Sequence, residues 1–134
     1  MTRAVDNNGI GSLYGTFAIT QTEENYDLTL DNVGDAVAPA GSNQVNHGDD
    51  GGLLLGRLEH VSGGLAGVQI AGIARFNINT AKTAPAVGNR VVVDGSGKVY
   101  QAPELAGHDP AGGTVARGTV IAVDATNHTC DVLL

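Results

Sequence analysis

Tryptophan is absent from this 134-residue chain, the aromatics are three Tyr and two Phe, and Cys130 is the only cysteine. Each scarcity excludes something. Surfaces that stack sugars or single-stranded bases need exposed aromatic faces, and so few rings leave little to build one. A lone cysteine makes no intrachain disulfide. Cys130 alternates with His128, Val132 and Leu134, the pattern of a small core residue. Basic residues are also few: 7 Lys plus Arg stand against 14 Asp plus Glu, a formal charge of −7. Affinity for a phosphate backbone comes from clustered Lys and Arg, so nucleic acid is not an expected partner. No apolar run approaches the roughly 20 residues that span a bilayer, so no membrane partner is expected either. The N-terminus carries no hydrophobic signal core. The expectation is a soluble protein made in a reducing cytoplasm.

What is abundant is glycine, at 20 residues, together with Val, Ile, Leu and Ala. This composition suits short strands joined by tight turns, because glycine takes positive φ without steric cost. Apolar residues recur with strand period, and no segment shows a long amphipathic helix. A chain of this length forms one domain that buries roughly 68% of its unfolded surface.

A phrase is written twice. Val33-Gly34-Asp35-Ala36-Val37 returns as Val87-Gly88-Asn89-Arg90-Val91. Downstream of the first copy comes Gly56-Arg57-Leu58-Glu59-His60-Val61, a Gly-rich break, and Ala66-Gly67-Val68-Gln69-Ile70. Downstream of the second comes Gly118-Thr119-Val120-Ile121-Ala122-Val123, a polar break, and Cys130-Asp131-Val132-Leu133-Leu134. The spacing predicts an all-β fold with little helix, a compact barrel or sandwich built from two related β-units. The units cover residues 33–70 and 87–134 within a single domain of residues 26–134. Residues 1–25 read as an N-terminal arm plus a first strand, loose until it meets a partner or else an ordinary edge strand.

Between these landmarks, residues 26–30 alternate as a half-buried strand. Residues 39–52 are the longest loop signal, and 53–61 with 65–70 form a hairpin around Ser62-Gly63-Gly64. Ala74, Phe76 and Ile78 share one face of an extended stretch. Val91-Val92-Val93, Asp94-Gly95-Ser96-Gly97 and Lys98-Val99-Tyr100-Gln101 make the clearest hairpin. Residues 102–113 form a second loop or short helical turn, and the last strand pins the C-terminus in the sheet.

Motifs that would carry chemistry fail on inspection. Gly95-Ser96-Gly97-Lys98 lacks the earlier glycine and the following Ser or Thr of a phosphate loop. Gly9-Ile10-Gly11 lacks the third glycine of a dinucleotide site. His47, His60, His108 and His128 do not share metal-ligand spacing. Asp49-Asp50 has no Glu at calcium-loop spacing. Asn127-His128-Thr129 matches a glycosylation acceptor by coincidence of composition. No Gly-x-Ser-x-Gly elbow is present, although a triad can assemble from distant positions. The expectation is no cofactor, no metal and no enzymatic activity.

The run Gly72-Ile73-Ala74-Arg75-Phe76-Asn77-Ile78, with Ala84-Pro85-Ala86 leading through Val87–Val91 into the Gly-rich hairpin ending at Val99, resembles the cement (decoration) proteins of tailed-bacteriophage capsids. The closing Gly118–Val123 and Val132-Leu133-Leu134 fit as well, so the likeness covers residues 33–134. It implies a small β-barrel body located on the virion surface, bound outside the assembled head as a homotrimer or homodimer. There it would bridge major capsid protein subunits and stabilise the shell without catalytic residues. Residues 2–19 lie outside the repeats and become the expected capsid-facing element, with Val5, Ile10, Leu13, Tyr14 and Phe17 as candidate interface residues. Arg75 and Phe76, from the run that carries the likeness, complete the set. The alternatives are a phage surface or fibre-tip module that binds a receptor or glycan, a β-domain with a small-ligand pocket, and a hydrolase.

Overall fold

The computed structural model describes residues 7–103 and 116–134. In chain order its strands are β1 (Leu13–Ile19), β2 (Gln21–Thr22), β3 (Asn25–Tyr26), β4 (Ala36–Gly41), β5 (Gln44–Asn46), β6 (Gly56–Ser62) and β7 (Leu65–Ala71). They continue with β8 (Ile73–Asn77), β9 (Val91–Val93), β10 (Val99–Gln101), β11 (Thr119–Asp124) and β12 (Thr129–Leu133). The only helical element among the described residues is a 3₁₀ turn, Leu30–Asn32. The fold is all-β.

Strands β1, β5, β4, β6 and β7 close into a barrel in that order. The remaining long strands repeat the same ring. β8 pairs with β12, β12 with β11, and β9 with β10, each antiparallel. Single bridges complete the circle: Val91 to Arg117 joins β9 to the approach of β11, and Ile78 to Val99 joins the end of β8 to β10. The parallel bridge Ile78–Val99 matches Ile19–Val45, where β1 meets β5 in the first barrel.

The correspondence extends to individual hydrogen bonds. The N–H of Gly34 donates to Leu58 O at 2.7 Å, and that of Gly88 donates to Val120 O at 2.7 Å. Leu58 N–H donates to Asp35 O at 2.9 Å, and Val120 N–H to Asn89 O at 2.9 Å. A β-bulge falls between Leu58 and His60 in β6, and its counterpart falls between Val120 and Ala122 in β11. Such bulges bend a strand at a fixed place, which short barrels need in order to close. The ladder of β1 on β7, from Tyr14–Gln69 to Ala18–Leu65, is copied by β8 on β12, from Ile73–Leu133 to Asn77–Thr129.

The repeated units are therefore larger than the phrases at residues 33–70 and 87–134. Each begins earlier, with β1 or β8. Residues 1–25 read in the sequence as an arm plus a first strand outside the domain of residues 26–134, and the strand is part of the first barrel. Leu13–Ile19 forms a barrel wall, paired with β7 along its length and with β5 at its end. Residues 39–52 are likewise not one long loop, since Gln44–Asn46 is a strand paired with β4. Gly41-Ser42-Asn43-Gln44-Val45 stands where the second unit has Gly95-Ser96-Gly97-Lys98-Val99. Residues 26–30 do not form a strand beyond Tyr26. Leu28 is a buried plug, and Thr29 caps the 3₁₀ turn: its hydroxyl accepts from Asp31 N–H, and its own N–H donates to Asn32 Oδ1 at 2.9 Å. The β6–β7 turn runs through Gly63 and Gly64, both at positive φ (57° and 79°), as a two-residue hairpin loop requires. Most of residues 102–113 lie outside the described residues.

The two larger cores are not independent. One cluster gathers Ile19, Leu28, Val37, Val45, Leu58, Ala66 and Val68, all from the first unit. The other joins Ala74, Phe76, Val91, Val99, Val120, Cys130 and Val132 of the second unit to Ala36, Ala38 and Leu54 of the first. Cys130 serves as a small apolar residue, and burial pushes its thiol pKa up to about 12.

Candidate interaction surface

Gly72 is the single residue between β7 and β8, and the chain converges on it from both directions. Asn7 to Ile10 form a tight turn that lies across this joint. Gly9 N–H donates to Ile73 O at 2.7 Å, and Ile73 N–H donates to Ile10 O at 3.2 Å. From the other side Leu134 N–H donates to Gly72 O at 2.8 Å. The backbone at residue 72 has φ +91°, and an added Cβ would lie 2.7 Å from Gly11 and from Ile10 O. Glycine is what lets these segments touch. Beneath them, the buried amide of Gln69 donates to Ala71 O at 3.1 Å and to Ile73 O at 3.2 Å, so the joint's carbonyls are satisfied.

This convergence gathers apolar side chains at the surface. Ile10 is 57% exposed, Leu13 59%, Tyr14 56% and Leu133 47%. Leu13 pairs with Ala71 and Leu133 with Ile73, so these residues surround the same short stretch of backbone. Exposed apolar residues around one stretch of backbone are candidates for association.

Of the seven residues expected at an interface, Ile10, Leu13 and Tyr14 are brought together here. Phe17 is partly buried against the first core, its ring under Gly15. Phe76 is 1% exposed inside the second core, which corrects its assignment to an interface: it faces inward at the position matching Phe17. Arg75 lies on the outer face of β8, and its guanidinium donates to Asp131 at 2.8 and 3.3 Å. Val5 lies outside the described residues.

Sequence reasoning missed the residues that fix the barrels to each other. Arg117 extends its guanidinium from the second unit to the first, donating to Leu54 O, Leu55 O and Ile70 O. Burial lowers its pKa, and the three carbonyls satisfy its charge. Arg57 reaches the other way, from β6 to Arg75 O at 3.0 Å. Asp50 accepts from the Tyr100 hydroxyl at 2.7 Å and from Lys82 at 2.9 Å. Burial, with the Asp50 bond behind it, pushes the Tyr100 pKa up to about 12. Backbone bonds add to the seam: Ala36 N–H to Gly97 O at 2.8 Å and Gly51 N–H to Val93 O at 2.8 Å. Arg117 occupies the place that Leu55 holds in the first unit, and this swap of Leu for Arg within a repeat was the available signal.

The described residues also line depressions that are open to solvent. One is lined by Arg75, Val123, Asp124, Thr129 and Asp131, another by Lys82, Tyr100 and Pro103. Among the described residues no helix is long and apolar enough to cross a membrane.

No family model matches the chain, and no curated protein does.

Proposed function

We propose that this chain is a structural protein of a bacteriophage particle that binds outside the assembled head. It stabilises the shell by bridging neighbouring major capsid subunits, and it does so as a homotrimer or homodimer. The observation that carries this reading is the exposed apolar group Ile10, Leu13, Tyr14 and Leu133, held at the joint of two barrels locked together by Arg57 and Arg117. A rigid double barrel spans more of a neighbour's surface than one small barrel and gives up little conformational entropy on docking. Standard interfaces bury roughly 1,600 Å² in total, and many equivalent sites on a shell sum modest energies into a large reinforcement. The resemblance of residues 33–134 to cement proteins supports a phage head as that surface.

The test is co-sedimentation of purified protein with empty, expanded heads of the particle that encodes it. Saturable binding at a fixed ratio to the capsid subunit is expected, with heads that resist higher temperature. Ile10→Asp combined with Leu133→Asp should weaken binding at least about tenfold, the loss of roughly 1.4 kcal/mol or more of apolar burial. Heads that pellet without the protein, at any concentration, would refute the reading.

A further inference from the structure

The two units differ in how their edges are finished. In the second unit, Ile73 turns its N–H and C=O away from β12, and Gly9 and Ile10 meet both. Two residues along, Arg75 O accepts from the Arg57 guanidinium. The corresponding residues of the first unit are Tyr14 and Thr16. Ala18 N–H donates outward to Asn43 O at 2.8 Å, whereas Ile19 N–H donates to Gly64 O on the β7 side at 2.9 Å. Strand alternation therefore turns the main-chain groups of Tyr14 and Thr16 outward as well. β5 pairs only with Ala18 and Ile19, and among the described residues no hydrogen bond reaches Tyr14 or Thr16 from that side. The first barrel thus carries a short open edge where the second is sealed.

We propose that this edge is the self-association surface of the protein, with β1 pairing antiparallel to β1 of a second copy about a two-fold axis at Gly15. In that register Tyr14 faces Thr16 of the partner copy, and Thr16 faces its Tyr14. Each pair exchanges two N–H to C=O bonds, four in all, so the edge is complementary to itself. The side chains agree with the backbone. Tyr against Thr is a favourable cross-strand pair, and both side chains are exposed in the single chain. Charge selects the occupant: the chain carries −7, yet Leu13–Ile19 contains no ionisable carboxylate or cation to repel a like strand. Edge strands that stay unpaired usually carry Lys or Pro, and this one has neither. The inference rests on the self-association part of the proposed function and selects the dimer. The dimer takes Tyr14 out of the apolar group and leaves Ile10, Leu13 and Leu133 for the head, and mass and co-sedimentation read the two proposals separately.

Light scattering after size exclusion tests it directly. The expected mass for the wild type is twice 13.6 kDa. Thr16→Pro removes an outward N–H and leaves the β7 ladder intact, and Thr16→Lys places like charges across the axis. Both variants should run at 13.6 kDa with far-ultraviolet circular dichroism and melting temperature that match a folded monomer. Wild type at 13.6 kDa up to hundred-micromolar concentration overturns the proposal, as does a dimer or trimer that survives both substitutions. Should the wild type be monomeric and a chain lacking residues 1–6 dimeric, the N-terminal segment occupies the edge instead, and the proposal again fails.

Discussion

Replacing Gly72 by alanine would set a Cβ 2.7 Å from the backbone of Gly11 and Ile10 at a φ of +91°. Neither neighbour is a flexible side chain that can swing aside, so either the joint shifts or the turn at residues 7–10 detaches. Gly63 has a similarly left-handed φ of +57°, but nothing lies within 4 Å of its missing Cβ. The pair separates backbone preference from close approach. Gly63→Ala should cost about 1 kcal/mol, the ordinary left-handed penalty, and Gly72→Ala at least about 2 kcal/mol, since close contact adds to it. Urea denaturation of both variants checks the difference. Equal losses would mean that the Gly72 contact can relax.

At the scale of elements, the β9–β10 turn depends on one carboxylate. Asp94 accepts from Ser96 N–H at 2.7 Å, Lys98 N–H at 3.0 Å, the Ser96 hydroxyl at 2.8 Å and the Asn79 amide at 2.8 Å. Burial opposes its charge, yet these donors together hold its pKa below the usual 3.8. A carboxylate lowered on folding stabilises the native state above its unfolded pKa and loses that effect as pH falls through the folded one. Asp94→Ala should therefore cost about 1–2 kcal/mol at neutral pH, the worth of hydrogen bonds to a partly exposed charge. The gap between wild type and variant should narrow as the pH drops below about 4. Thermal melts from pH 7 to pH 2.5 would show this, and a gap that stays constant would place the effect in packing.

Both hairpins were legible because alternation and turn chemistry sit side by side, in Val91-Val92-Val93 with Asp94-Gly95-Ser96-Gly97 and around Gly63-Gly64. The all-β class and the duplication could be read for the same reason. β5 was hidden because only three residues of strand, Gln44–Asn46, lie within a polar, Gly-rich stretch. Phe76 misled in the opposite sense: an aromatic beside Arg75 in a short run does not reveal which face is inward until the barrel closes. The seam was least legible of all. A guanidinium that finds carbonyls across sequence distance, as Arg117 does with Leu54 and Ile70, leaves no local pattern.

On the scale of the whole molecule, the second core borrows Ala36, Ala38 and Leu54 from the first unit. The half comprising residues 73–134 lacks these residues and the chain that covers Ile73. Expressed alone it should show neither cooperative melting nor the dispersed amide spectrum of the full protein. The intact chain should unfold in one calorimetric transition. A folded isolated half, or two resolved transitions, would show that the barrels are separate domains in tandem.

Gly72 has a mechanical consequence. Gly9 and Leu134, far apart in the chain, are both hydrogen-bonded to the same two-residue stretch, Gly72 and Ile73. Tension transmitted along the chain would be short-circuited there, loading that knot while both barrel walls stay slack.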